Sequence, residues 1–188
     1  MEHQRLKWKV LEDFATACVE AGIPRTRDFN RGDNEGVDYF EVNQRSGWRW
    51  NTSKAFLRNA EKRSNLTLWH STHVLGLETE NAGSGPRCVG VRVERSGGDD
   101  VIARAKREVI LSAVAIGSPQ LLQLSGIGPA DLLKEHGIDV VADLPGVGEN
   151  LQDHLQIRSV YKVKGVTTLN TMANSLIGKA RIGLEYLL

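Results

Sequence analysis

The chain has 188 residues, enough for one domain of modest core or for parts of two. Its 40% hydrophobic and 25% charged residues are ordinary globular composition, and 24 Lys and Arg against 23 Asp and Glu leave no field to recruit nucleic acid or an anionic membrane surface. Two distant cysteines, Cys18 and Cys88, form no C-x-x-C pair and no disulfide framework; neither a signal peptide nor an apolar run of the roughly 18 residues a membrane span needs is visible, so a soluble cytoplasmic protein is expected.

Residues 6–21 read as a helix, with Leu11, Phe14, Ala15 and Cys18 on one face and Gly22 and Pro24 ending it. Cys18 belongs to that apolar face rather than to a reactive site. Residues 28–38 form a polar, Gly-rich loop whose acidic groups lack EF-hand order. Two strands are expected over residues 37–50, joined across Gln44-Arg45-Ser46-Gly47, with Trp48 and Trp50 on one face. Thr52 or Ser53 then caps a helix through residue 60.

Strand-forming runs at 66–69, 74–79, 88–94 and 101–105, separated by loops at 81–86 and 96–100, predict a small antiparallel meander. His73 has no partner ligand at metal-binding spacing, and no metal is expected.

The apolar run Val109-Ile110-Leu111 reads as a buried strand turning through Ser112-Ala113-Val114-Ala115 into a helix opened by Ser118-Pro119. Such a turn leaves backbone donors and a positive dipole end beside it, a seat for an anionic cofactor. Two G-x-G turns follow. Ser125-Gly126-Ile127-Gly128-Pro129 ends one helix and opens another, closed by Gly137; Pro145-Gly146-Val147-Gly148 follows a strand-like segment, 138–144. Neither completes G-x-G-x-x-G, because Asp131 and Leu151 stand where a third glycine belongs. Beyond them, residues 155–163 alternate imperfectly as a strand, and 170–188 read as a helix with Leu176, Ile177, Ala180 and Leu184 on one face. That helix stops on Tyr186-Leu187-Leu188 without a cap, so the chain reads as cut.

Each turn alone is an ordinary structural punctuation mark. Together, the string from Ala115 through Ser118-Pro119 to Gly128-Pro129, and the block Leu144-Pro-Gly-Val-Gly-Glu-Asn-Leu-Gln-Asp-His154, closely resemble the glucose–methanol–choline (GMC) family of flavin oxidoreductases. Gly47-Trp-Arg-Trp-Asn-Thr-Ser-Lys-Ala-Phe-Leu57, Asn65-Leu66 and Thr72-His-Val74 resemble that family's middle section. The chain departs at Val114, where the family usually has Gly in the turn that approaches the flavin; a branched side chain there would crowd the cofactor.

The resemblance implies an α/β fold, α+β in parts: a partial flavin-binding Rossmann-like domain with an antiparallel meander, plus the start of an α+β substrate domain. Residues 1–61 would border the substrate site, 62–150 would form part of the FAD-binding domain, and 151–188 would begin the substrate domain. It implies FAD contacts at Val74 (backbone, adenine end), Ser112, Ala113, Val114, Ser118, Asp153 and His154, with His154 and Gln156 near substrate. No catalytic residue is assigned: the family's glycine fingerprint precedes this segment and its catalytic His follows it. The expected reaction is FAD-dependent oxidation of an alcohol CH–OH; the alternative is a non-catalytic piece of the same fold. The sequence leaves the electron acceptor open between oxygen and a membrane quinone, and peripheral membrane contact would come only with a quinone. Where choline-using relatives tend to carry Glu, this chain has Gln156, so an alcohol other than choline is expected.

Overall fold

The computed structural model describes residues 2–5 and 7–187; the predicted helix start at Leu6 and the terminal Leu188 lie outside them. Two units emerge from the contacts, one of Met1–Thr67 with Arg158–Leu188, the other of Leu68–Ile157.

In the first unit, the apolar stripe of the amino-terminal segment forms α1 (Lys9–Glu20) and buries Ala15. Gly22, at φ +92°, lets the chain reverse, and the Ile23 N–H reaches back to the Cys18 carbonyl at 3.0 Å. The Arg25 guanidinium then bonds Glu12 of α1 at 3.2 Å and Asp38 at 3.5 Å, tying the polar loop to the helix. Glu12 raises the Arg25 pKa, by hydrogen bond first and charge second. Within the loop, the Asn30 backbone N–H holds the Asp28 carboxyl below its usual pKa.

The predicted hairpin is present but short: β1 (Gln44–Arg45) and β2 (Trp48–Arg49) flank a turn at Ser46 and Gly47. Trp48 is exposed, and Arg45 lies over the Trp50 ring at 5.0 Å. The next helix is capped by neither Thr52 nor Ser53. Asn51 Oδ1 accepts the Lys54 N–H at 3.0 Å, and a π-helical turn, Ser53–Leu57, runs into α2 (Arg58–Ala60).

In the second unit, three of the four predicted strand runs make the meander: β3 (Thr72–Asn81), β4 (Pro86–Arg95) and β5 (Asp100–Arg104), antiparallel in that order. Residues 66–69 are not strand. Gly90 faces the β5 backbone so closely that a side chain there would meet the Ala103 carbonyl. The predicted strand 109–111 finds no partner and stays irregular with Ile110 exposed, since a strand exists only through a neighbour's hydrogen bonds. Then come α3 (Val114–Leu124), β6 (Ile127–Gly128), α4 (Ala130–Glu135) and β7 (Ala142–Asp143), with β6 and β7 pairing in parallel. Of the strand-like segment 138–144, only β7 is strand.

Residues 151–164 carry no regular structure, against the expected strand at 155–163; Leu155 is 93% and Val160 92% exposed. The last predicted helix is two: α5 (Leu169–Ala173), opened by a Thr168–Thr171 capping box, and α6 (Leu176–Leu187). The Ser175 hydroxyl restarts the chain by accepting the Gly178 N–H at 2.9 Å. Within the first unit, Tyr186 anchors α6 on the hairpin, donating its hydroxyl to the Gly47 carbonyl and accepting from Gln44 Nε2 at 3.0 Å. Among the described residues no helix is long and apolar enough to cross a membrane.

Among the described residues, the buried hydrophobic side chains are Ala15, Val93, Leu121 and Leu133, whereas Ile110, Ile116, Ile157, Leu176 and Ile177 are largely exposed. So few fully buried side chains are weak compensation for the entropy of ordering the chain. The isolated 188 residues are therefore expected to melt broadly and to bind hydrophobic dyes before heating. A sharp calorimetric transition of the isolated chain would refute this.

Candidate functional site

The second unit is built around α3. Its amino-terminal turn starts four residues before the predicted Ser118 opening, at Val114, and Pro119 lies inside the helix. Ser118 still serves that end, but in reverse: its Oγ accepts the Ala113 N–H at 3.0 Å. Pro119 has no N–H for the carbonyl of Ala115, which therefore lacks its normal helical donor. Val114 is the unusual residue. It sits at φ +66° with its side chain 82% exposed, in a left-handed conformation that a β-branched residue adopts only at a cost.

At its other end α3 is fixed to the sheet. Ser125 Oγ donates to the Leu121 carbonyl at 2.6 Å and accepts the Leu77 N–H at 2.8 Å, on the side of β3 that no other strand covers. Gly126 passes the chain to the parallel pair: its carbonyl accepts the Val141 and Ala142 N–H groups at 2.8 and 3.1 Å. At φ +79°, and hard against the Asp139 carbonyl, it has no room for a side chain. Asp143 Oδ1 accepts the Ala130 N–H at 3.0 Å, so the cap of α4 comes from the neighbouring strand.

The turn at Gly146 and Gly148 folds back toward α3, leaving a groove of about 400 Å³ lined by Ala115, Ile116, Pro119, Gln123, Gly148 and Leu151, among others. Its lining is mainly apolar, with the Gln120 and Gln123 amides and the Glu149 carboxylate as its polar side chains. The first N–H groups of α3, which no helix satisfies internally, stand at the same end.

Of the residues predicted from sequence, Ser112, Ala113, Val114 and Ser118 gather at the amino end of α3. Val74 lies on β3, against which α3 packs, opposite Val93 and beside a bulge between positions 74 and 76. Asp153, His154 and Gln156 lie exposed in the irregular segment after the second glycine turn. Asp153 Oδ1 accepts the backbone N–H of His154 at 2.8 Å, so the carboxylate serves the main chain. Sequence reasoning missed Gln123, Ser125 and Asp143. The signal at Gln123 was a long amide inside an otherwise apolar helix end, Leu121-Leu122-Gln123-Leu124; Ser125 and Asp143 act on residues 48 and 13 positions away, which no local pattern reveals.

The sequence profile described as GMC oxidoreductase matches residues 3–156. The chain belongs to the GMC oxidoreductase family. It is 46% identical over 174 residues to the oxygen-dependent choline dehydrogenase of Brucella anthropi, an alignment covering 93% of this chain and 30% of that protein. The chain thus spans less than a third of the length of that GMC relative. Among solved structures, an FAD-dependent oxidoreductase from Chaetomium thermophilum superposes with a TM-score of 0.72 at 31% identity, over 80% of this chain and 26% of that one. A fungal aryl-alcohol oxidase superposes at 0.70 and 33% identity, over 79% and 24%. The GMC assignment accounts for the mixed α/β fold with its antiparallel meander.

Two capping contacts hold the GMC segment at this site together. Ser125→Ala leaves the Leu77 N–H without a partner and is expected to cost about 1 to 2 kcal/mol, and Asp143→Ala about 1 kcal/mol. Faster amide hydrogen exchange at Leu77 and Ala130 respectively checks each.

Proposed function

We propose that this segment is part of an FAD-dependent oxidoreductase acting on CH–OH donors, and that the amino end of α3 lies along one edge of the flavin cofactor. The flavin would be held by Ser112, Ala113, Val114 and Ser118 and, when bound, would supply the two-electron oxidation of the alcohol CH–OH. The observation that carries the reading is the arrangement at that end of α3: first-turn N–H groups that have no partner within the helix, the exposed residue Ser112 before them, and a mainly apolar groove whose one charged wall residue is Glu149. Such a set suits a dinucleotide held by backbone contacts, and the printed description of the Chaetomium thermophilum structural neighbour as FAD-dependent supports FAD as its identity.

In this reading Val74 meets the adenine end through its backbone, while Ser112, Ala113, Val114 and Ser118 shape the turn the cofactor approaches. Asp153 holds the backbone that presents His154 at the edge of the flavin pocket, and His154 and Gln156 face substrate. Residues 62–150 then contribute to the FAD-binding domain, 1–61 border the substrate site, and 151–188 open the substrate domain. Val114 is the poor fit, because this conformation favours glycine. In the full-length protein, Val114→Gly is expected to retain FAD better by roughly fivefold, read as the dissociation constant from flavin fluorescence; relief of about 1 kcal/mol of crowding between the branched side chain and the cofactor sets that size. Unchanged retention would mean the turn does not touch the cofactor.

We further propose an uncharged primary alcohol as donor rather than choline. Gln156 offers an amide and no negative charge toward a quaternary ammonium group, although the Brucella relative is named for choline. The full-length protein should carry FAD through purification and show a higher kcat/KM for benzyl alcohol than for choline. Preference for choline would overturn the substrate assignment, and protein that neither binds FAD nor oxidises either alcohol would leave a non-catalytic relative of the fold.

A further inference from the structure

We infer that Gln123 is the positioning residue of this site: its side-chain amide sets the glycine turn at 145–148 on α3 and, through it, the placement of residues 149–154. Gln123 Nε2 donates to the Val147 carbonyl at 3.1 Å, joining positions 24 residues apart. The second glycine of each G-x-G pair faces this one side chain. A Cβ on Gly128 would stand 3.0 Å from Gln123 Cγ, and a Cβ on Gly148 would stand 3.0 Å from Gln123 Nε2. Both pairs therefore make room for an amide rather than for a phosphate. Gly148 has a further requirement, its φ of +91°. Gln123 also lines the groove beside α3, together with Gly148, Glu149 and Leu151, so the amide that fixes the turn stands in the wall of the candidate site.

The chemistry needs an N–H donor of this length. Methionine fills the space without donating, and glutamate donates to the Val147 carbonyl only when protonated. An ionised carboxylate there would face the carbonyl oxygen and repel it. That makes a proton switch of the variant, which loss of packing alone would not produce.

The inference rests on the flavin reading only for its link to the cofactor edge at His154. Its test is amide hydrogen exchange in the full-length protein, corrected for intrinsic rates, on wild type, Gln123→Met and Gln123→Glu. With Gln123→Met, the amides of Val147 and Glu149, which close the turn onto the Leu144 and Gly146 carbonyls, should exchange about fivefold faster, the factor for one hydrogen bond of about 1 kcal/mol, while those of β4 and β5 stay unchanged. With Gln123→Glu, protection of the same amides should equal wild type at acid pH and be lost at neutral pH. Unchanged exchange in Gln123→Met, or equal protection of Gln123→Glu at both pH values, would overturn the assignment. Retention of FAD by the wild type, measured separately, decides the flavin reading, so either can fail without the other.

Discussion

The hydroxyl of Ser125 is the joint on which the second unit depends. It closes the last turn of α3 by donating to Leu121 and docks that turn on β3 by accepting from Leu77. One side chain thus terminates a helix and satisfies a backbone donor on the open side of β3. Within the second unit, the parallel pair β6–β7 follows directly from this joint, because Gly126 comes at once and passes the chain to it. It adds a directional bond to the packing of α3 on β3 and so sets the register of the glycine turns on the meander.

From that joint the site is assembled with little buried apolar surface. Leu121 and Leu133 are buried; much of the remaining order comes from short polar contacts, Asp143 on α4 and Gln123 on the second glycine turn. Each such contact is worth on the order of 1 kcal/mol, so their geometry matters more than their sum. Val114 runs against this economy. A branched residue in the left-handed region at the mouth of α3 is a local conflict between sequence and backbone, of the kind that collects at functional sites.

The first unit follows the same pattern on a more polar scale. The Glu12–Arg25–Asp38 ion pairs hold a glycine-rich loop to α1, and Tyr186 holds α6 to the hairpin. The exposed apolar residues of 151–164 and α6 show how much of this segment's hydrophobic surface finds no cover within its own units.

The sequence by itself determined three strands of the meander, the close of α4 at Gly137, the turns at Gly22 and Gly148, and membership of the GMC family, because each rests on local chemistry: alternation, capping residues, glycine at positive φ, and short motifs. It did not determine which apolar runs become strands. Val109-Ile110-Leu111 and residues 155–163 have the right composition but no neighbouring strand to bond, and a strand is a property of pairs. Nor did it reveal that α3 begins at Val114 instead of Ser118, since Ser118 caps backward onto Ala113. Only the tertiary structure decided that both second glycines of the G-x-G pairs serve Gln123. The reason is physical: a contact spanning 24 residues leaves no trace in spacing, and becomes visible once the turn has folded back onto the helix.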